Sequence, residues 1–303
     1  MSGDETADLQ SALDRVLGTG AYSAADLQLM RTGLDAFALA VSLREPIETV
    51  TDEVLHVDGR VLALRSYRPS DAGTALLVWF HGGGYVSGSL DAIDPICRSL
   101  ARRLSTTVIS VDYRLAPEHP YPAALQDCLA ALDAVAARPG VGLLAVGGDS
   151  AGGGLAAATA RRTRVPLAAV LLLCPFLDAT LSSPSVRAKG TDYLLTEQAL
   201  RAFARMYVGP GGDPSDPGVS PLLGQDFGGL PPTVVVTAEH DPLCDEGERY
   251  AQQVIAAGGV AYVRRWNAML HGFVGMTADL PEADDALQWS CERLGELIRR
   301  AAR

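Results

Sequence analysis

Residues 143–162 read LLAVGGDSAGGGLAAATARR, and this stretch decides the architecture. A short apolar run enters a cluster of glycines around Ser150, and an alanine-rich run of helix formers leaves it. An apolar run bounded by glycine reads as a buried strand, and the run after it as a helix. A strand passing directly into a helix is the repeating joint of an α/β protein, in which helices cover a mostly parallel sheet.

The rest of the chain repeats that joint. Strands are expected at Thr49–Val57, Val61–Tyr67, Ala75–Phe80, Thr107–Val111, Leu143–Val146, Ala168–Leu173, Thr233–Thr237 and Val260–Trp266. The first two flank Asp58-Gly59 and read as a hairpin with a tight turn. LLVWF (76–80), AAVLLL (168–173) and TVVVT (233–237) are apolar without alternation, as strands covered on both faces are. Helices are expected near Asp94–Leu104, Ala123–Ala137, Ala151–Thr163, Asp245–Ala257 and Pro281–Ala302. This pattern is a doubly wound α/β sheet whose ligand sites lie at the carboxyl ends of its strands.

Two stretches interrupt the alternation. Residues 1–45 read as two helices before the first strand, and residues 181–208 insert a helical segment, TEQALRAFARMYV included, that the loop GPGGDPSDPG (209–218) returns to the core. Both could fold over the sheet's carboxyl edge as a lid, the plainer alternative being surface decoration. The expected organisation is a helical cap from 1–45 and 181–215 on a core made of 46–180 and 216–303.

Composition narrows the functions. With 36 acidic and 25 basic residues the net charge is -11, which argues against nucleic acid, since phosphate binding needs a basic surface. The start, MSGDETADLQSALDR, has no signal-peptide order, and the apolar run Val165–Leu177 is too short and too proline-broken to span a bilayer. No stable membrane insertion is expected. Cys97, Cys128, Cys174, Cys244 and Cys291 are scattered and odd in number, which fits reduced thiols in a cytoplasmic protein and no metal site.

GDSAG (148–152) matches GxSxG. With 31 glycines in the chain the pattern arises easily by chance, so its place between strand and helix is what gives it weight. A turn that sharp strains the central residue and needs small neighbours, and it presents the Ser150 hydroxyl at a helix amino end, where N–H groups favour a developing oxyanion. HGGGY (81–85) follows the strand LLVWF; consecutive glycines let N–H groups approach a substrate oxygen. His81 is expected to orient that loop.

A serine hydroxyl needs a neutral imidazole, and the imidazole needs a carboxylate to fix its tautomer. In this arrangement the chain order is serine, acid, histidine. His240 and His271 follow Ser150, and His240 adjoins the acid candidate, so His271 in LHGF is the expected base. Glu239, Asp241 and Asp245 follow the strand TVVVT; Asp241, before Pro242, is the expected acid, and Asp245 with Glu248 reads as a helix N-cap and capping box. His56 and His119 read as structural or surface residues.

HGGGYVSGS (81–89), VDYRLAPEHPYPAALQD (111–127), GDSAGG (148–153), LPPTVVVTAEHDPLCDEGERYA (230–251) and LHGF (270–273) together resemble the hormone-sensitive-lipase-like carboxylesterases, bacterial family IV. The resemblance implies an α/β-hydrolase fold with an eight-stranded, mostly parallel sheet, helices on both faces and a helical cap. It implies Ser150, Asp241 and His271 as the catalytic triad and Gly83, Gly84 and Ala151 as oxyanion donors. It also implies action on short acyl esters with no cofactor, as is usual for such enzymes, which often form homodimers. Tyr85, Leu194, Leu195, Phe203, Met206 and Tyr207 are candidate pocket residues; the alternative is that those in the insertion form the cap's own core. Two other readings stay open: an amidase or other serine hydrolase using the same triad, and a small-molecule receptor on the same scaffold, as in plant gibberellin receptors, which lack the histidine.

Overall fold

The structure is a computed structural model that describes residues 3–18 and 22–303. The chain opens with helices α1 (Gly3–Leu17) and α2 (Ala24–Ala40). Residues 1–2 and 19–21 of the expected N-terminal segment lie outside the described residues. α2 begins where the Ser23 hydroxyl accepts from the Asp26 N–H and the Asp26 carboxylate accepts from the Ser23 N–H, a reciprocal capping box. There follow β1 (Thr49–Val57), β2 (Arg60–Arg68), β3 (Leu76–Phe80), α3 (Asp94–Leu104), β4 (Thr107–Asp112), α4 (Ala123–Ala136), β5 (Leu144–Asp149), α5 (Ala151–Arg162) and β6 (Leu167–Leu173). The remainder is α6 (Pro184–Lys189), α7 (Glu197–Val208), β7 (Thr233–His240), α8 (Cys244–Ala256), β8 (Ala261–Leu270) and α9 (Pro281–Ala301).

Among the described residues the strands form one eight-stranded sheet in the order β1-β2-β4-β3-β5-β6-β7-β8. β2 pairs antiparallel with β1 and β4, and every other neighbouring pair is parallel. Asp58 and Gly59 both take positive φ (46° and 78°), as a tight hairpin turn requires. From β3 the chain steps outward to β4 and then back across to β5. The reversal leaves β3 beside β5, with Phe80 opposite Gly148, so the loops leaving these two strands emerge side by side.

β3 explains why its sequence does not alternate. Val78 and Phe80 join the core under α4, α5 and α8, and Leu77 and Trp79 join the one under α3 and α9. All five residues are buried. A third cluster brings Val16 of α1 and Leu27 and Met30 of α2 against Ala202, Phe203 and Met206 of α7, with Val86 beneath them. The two segments that interrupted the alternation thus pack on each other. α6 lies elsewhere, beside α8, where the Ser185 N–H donates to the Asp245 carboxylate at 2.9 Å.

That bond corrects one expectation. Asp245 does not cap α8: the helix starts at Cys244, the cap position is Leu243, and no side chain closes it. Nor does Glu248 complete a capping box; it grips Arg265 of β8 and accepts from Thr237. Partners on neighbouring elements outcompete the local cap. Among the described residues no helix is long and apolar enough to cross a membrane, and all five cysteines are buried and unpaired.

Within the 111–127 stretch, Asp127 of α4 is fully buried and accepts from Arg60 of β2 and from the backbone and guanidinium of Arg114. Removing a buried carboxylate with two arginine partners leaves their charges uncompensated. Asp127→Ala should therefore cost about 3 kcal/mol in a denaturant titration, from the range for broken buried ion pairs; a loss within error of zero would contradict this role.

Candidate active site

β5 ends at Asp149, α5 begins at Ala151, and Ser150 alone makes the turn, at φ 50° and ψ -118°. For a residue with a Cβ this backbone costs about 1–3 kcal/mol and persists only where its surroundings hold it. Here the Ser150 N–H donates to the Leu173 carbonyl at 2.8 Å, and the Ser150 carbonyl accepts from Phe176 at 2.9 Å and Gly154 at 3.2 Å. The helix also presses onto β3. A Cβ on Gly152 would stand 2.0 Å from the Phe80 carbonyl oxygen, so only glycine fits.

His271 follows β8 directly, since that strand runs on past Trp266 to Leu270. Its Nε2 lies 2.9 Å from Ser150 Oγ and its Nδ1 lies 2.8 Å from Asp241 Oδ2. With Nδ1–H donating to the carboxylate, Nε2 is the acceptor for the Ser150 hydroxyl. Asp241 is fully buried, and its second oxygen accepts from the Leu243 N–H at 2.8 Å. Burial alone lowers the pKa of the His271 imidazole, but the charge and hydrogen bond of Asp241, helped by Asp149, outweigh it and hold the pKa above 6.5. His240, the histidine set aside, stacks on Tyr193.

Gly83 and Gly84 turn the loop after β3 at φ 116° and 63°, and the Gly83 carbonyl accepts from the Val86 and Ser87 N–H groups. His81 stacks on Tyr113 and its Nδ1–H donates to the Gly82 carbonyl at 2.7 Å. Burial pushes the His81 imidazole down to about 4, so it is neutral and serves the loop, as its sequence position implied. The Asp149 carboxylate accepts from the Gly82 N–H at 3.0 Å; burial pushes this carboxyl up to about 6 while that bond pulls it back. Among the described residues no protein acceptor takes up the N–H of Gly83, Gly84 or Ala151.

A cavity of about 560 Å³ opens over Ser150 and His271. Of the expected pocket residues it brings in Leu194, Leu195 and Phe203. Tyr85, Met206 and Tyr207 stand outside it. Tyr85 stacks on Tyr207 at 3.7 Å and donates to the Phe176 carbonyl, and Met206 accepts from the Tyr22 hydroxyl within the third cluster. Much of the wall that the sequence did not reveal comes from α2 and its cap: Leu34, Phe37, Ala38 and the cap residue Val41, joined by Leu13 and Leu17 of α1 and by Ile96, Phe176 and Val274. The apolar spacing Leu34, Phe37, Ala38, Val41 was the available signal.

Cys174 brings its sulfur within 4.8 Å of donor atoms on Asp241 and His271. Burial pushes that thiol well above its ordinary pKa, and the carboxylate and imidazole atoms are already spent on each other, on Ser150 and on Leu243. The donor set has the chemistry of a hydrogen-bonded triad with a neutral thiol beside it.

A family profile described as alpha/beta hydrolase fold matches residues 77–275, from the strand before the glycine loop to the turn after His271. The chain belongs to this α/β-hydrolase family. Relatives of this α/β-hydrolase extend the likeness beyond the motifs. The carboxylic ester hydrolase LipN of Mycobacterium tuberculosis is 36% identical over 301 residues, covering 90% of this chain and 77% of the relative. An ethyl acetate hydrolase of Pseudomonas putida is 39% identical over 256 residues, 78% of this chain and 79% of the relative. The solved structure of a hyperthermophilic esterase from Pyrobaculum calidifontis superposes with a TM-score of 0.86 at 34% identity, covering 98% of each chain.

The electrostatics give a measurable sign. Asp241 raises the His271 pKa against burial, so followed by NMR the ring should titrate with a midpoint above 6.5 in the parent protein. Asp241→Asn leaves burial in place and removes the charge, so the midpoint should fall below the parent value. A variant midpoint equal to or above the parent's would contradict this balance.

Proposed function

We propose that the chain is a serine carboxylesterase that hydrolyses short-chain carboxylic esters through an acyl-enzyme. The observation that carries the reading is the unbroken hydrogen-bond chain Ser150–His271–Asp241, facing uncommitted N–H groups across a mostly apolar cavity. Nε2 of His271 takes the Ser150 proton as Oγ bonds to the ester carbonyl carbon. The oxygen that becomes negative accepts from Gly83, Gly84 and Ala151, each donor worth about 3 kcal/mol of barrier. Collapse breaks the bond to the alcohol oxygen, which leaves with the proton from Nε2. Water then gives a proton to Nε2 and attacks the acyl carbon, and Ser150 departs as its hydroxyl is restored. Asp241 stays ionised and holds the ring's tautomer throughout.

α1, α2 and α7, from the segments 1–45 and 181–215, act as a cap closing over the nucleophile, while α6 of the second segment stays beside α8. A cavity of about 560 Å³ has room for both the acyl and the alcohol part of a small ester, and a relative named for ethyl acetate supports the short-chain end of the range. The contact of His271 with Ser150 favours a hydrolase over a receptor on this scaffold, and relatives named as esterases favour esters over amides. Five unpaired buried thiols fit a reducing cytoplasm. The sheet edges at β1 and β8, with Val54 and Val263 exposed, offer faces for self-association into a homodimer.

Ser150→Ala should cut p-nitrophenyl butyrate turnover by about 10⁶-fold, on the scale of nucleophile removal in serine hydrolases, without loss of folded protein. In the parent protein, kcat/KM should collapse as the acyl chain lengthens past the cavity, and matched amides should turn over far more slowly. Retained turnover in Ser150→Ala would sink the assignment.

A further inference from the structure

Helix α2 does more than line the cavity. Part-way along it Arg31 Nε donates to the Val86 carbonyl at 2.7 Å and Nη2 donates to the Ala116 carbonyl at 3.0 Å. The same guanidinium forks onto Glu118 at 2.9 and 2.7 Å. One turn later Asp35 accepts from the Ser89 hydroxyl at 2.8 Å. Val86 is itself a donor to the Gly83 carbonyl, so Arg31 holds the residue that closes the glycine loop.

The turn that follows the same helix grips a second loop. The Val41 carbonyl accepts from the Ala278 N–H at 3.0 Å, and the Leu43 N–H donates to Thr277 Oγ1 at 2.8 Å. Ser42 Oγ lies 2.6 Å from the Gly275 carbonyl. Gly275 ends the short 3₁₀ turn that follows His271 and Gly272. The glycine loop leaves β3 and the histidine leaves β8, with β5, β6 and β7 between them in the sheet. α2 bridges the two.

We infer that α2 and the turn that ends it (residues 41–43) form a strut that sets the glycine loop relative to the His271 loop, with Arg31 and Ser42 as its positioning residues. The inference rests on the esterase reading, in which one loop stabilises the oxyanion and the other delivers the base. Both loops must be in register only at the transition state, and a misplacement of about 1 Å there costs on the order of 100-fold. A helix acting only as a wall would instead alter substrate binding. The two roles separate in kinetics, because lost wall contacts raise KM while lost transition-state geometry lowers kcat.

The test is steady-state hydrolysis of p-nitrophenyl butyrate by the full chain, with thermal melts to confirm folding. Arg31→Met keeps an unbranched stem and removes every donor. Its kcat should fall by about 10- to 100-fold with KM within about threefold of the parent, from the geometric scale above. Arg31→Lys, which retains one charged donor, should fall between, and Ser42→Ala should lower kcat in the same sense. Leu34→Ala, on the cavity side of the helix, should act mainly on KM and marks the wall effect for comparison. Parent-like kcat in Arg31→Met, or a loss confined to KM, would overturn the strut. Should Arg31→Met not fold, parent-like kcat in both Arg31→Lys and Ser42→Ala would overturn it equally. An inactive parent protein would instead refute the esterase reading.

Discussion

The contact between α5 and the end of β3 is the constraint on which the rest of the structure depends. Gly152 sits against the Phe80 carbonyl so closely that no Cβ fits, and Gly148 of β5 lies opposite Phe80 in the sheet. Those two facts bring the chain that leaves β3 and the chain that leaves β5 to one point. The strained dihedrals of Ser150 are the local cost of that approach, and the bonds to Leu173, Phe176 and Gly154 hold them. The glycine loop and the start of α5, where the N–H groups of Gly83, Gly84 and Ala151 have no protein acceptor among the described residues, are thereby brought to the same end of the sheet as the serine hydroxyl.

Electrostatics complete what the turn begins. A histidine buried beside a serine would by itself resist protonation, and a base that resists protonation abstracts a proton poorly. Asp241 reverses that tendency from a fully buried position and is steadied by the Leu243 N–H. Asp149 makes a second carboxylate link, to the Gly82 N–H, so the residue before the nucleophile ties the serine turn to the glycine loop. His81 works from the other side of that loop as a neutral donor.

The core was legible in sequence because its signals are local. Strands buried on both faces cannot alternate, and LLVWF, AAVLLL and TVVVT did not. Ser150, Asp241 and His271 were legible because each follows its strand within a residue or two and chemistry restricts their types. The cavity wall was not. Phe203 and Met206 lie on one short helix and both join the cluster beneath α2, yet only Phe203 also reaches the cavity. That division depends on how α1 and α2 pack, which no local pattern encodes. Asp245 failed for a related reason: its spacing to Glu248 fits a capping box, but Ser185 and Arg265 are stronger claims on the two carboxylates.

The helices that interrupt the alternation are where this fold's general machinery becomes a particular enzyme. α2 supplies much of the apolar wall, while Arg31 on it and Ser42 in the turn that ends it reach the two loops beneath. The central claim is that Ser150 is the activated nucleophile. Intact-mass and peptide mass spectrometry after treatment with diethyl p-nitrophenyl phosphate tests it most directly. One diethylphosphoryl group per chain is expected, on Ser150, with one equivalent of p-nitrophenolate released; an unmodified chain, or a label on any other residue, would contradict Ser150 as the nucleophile.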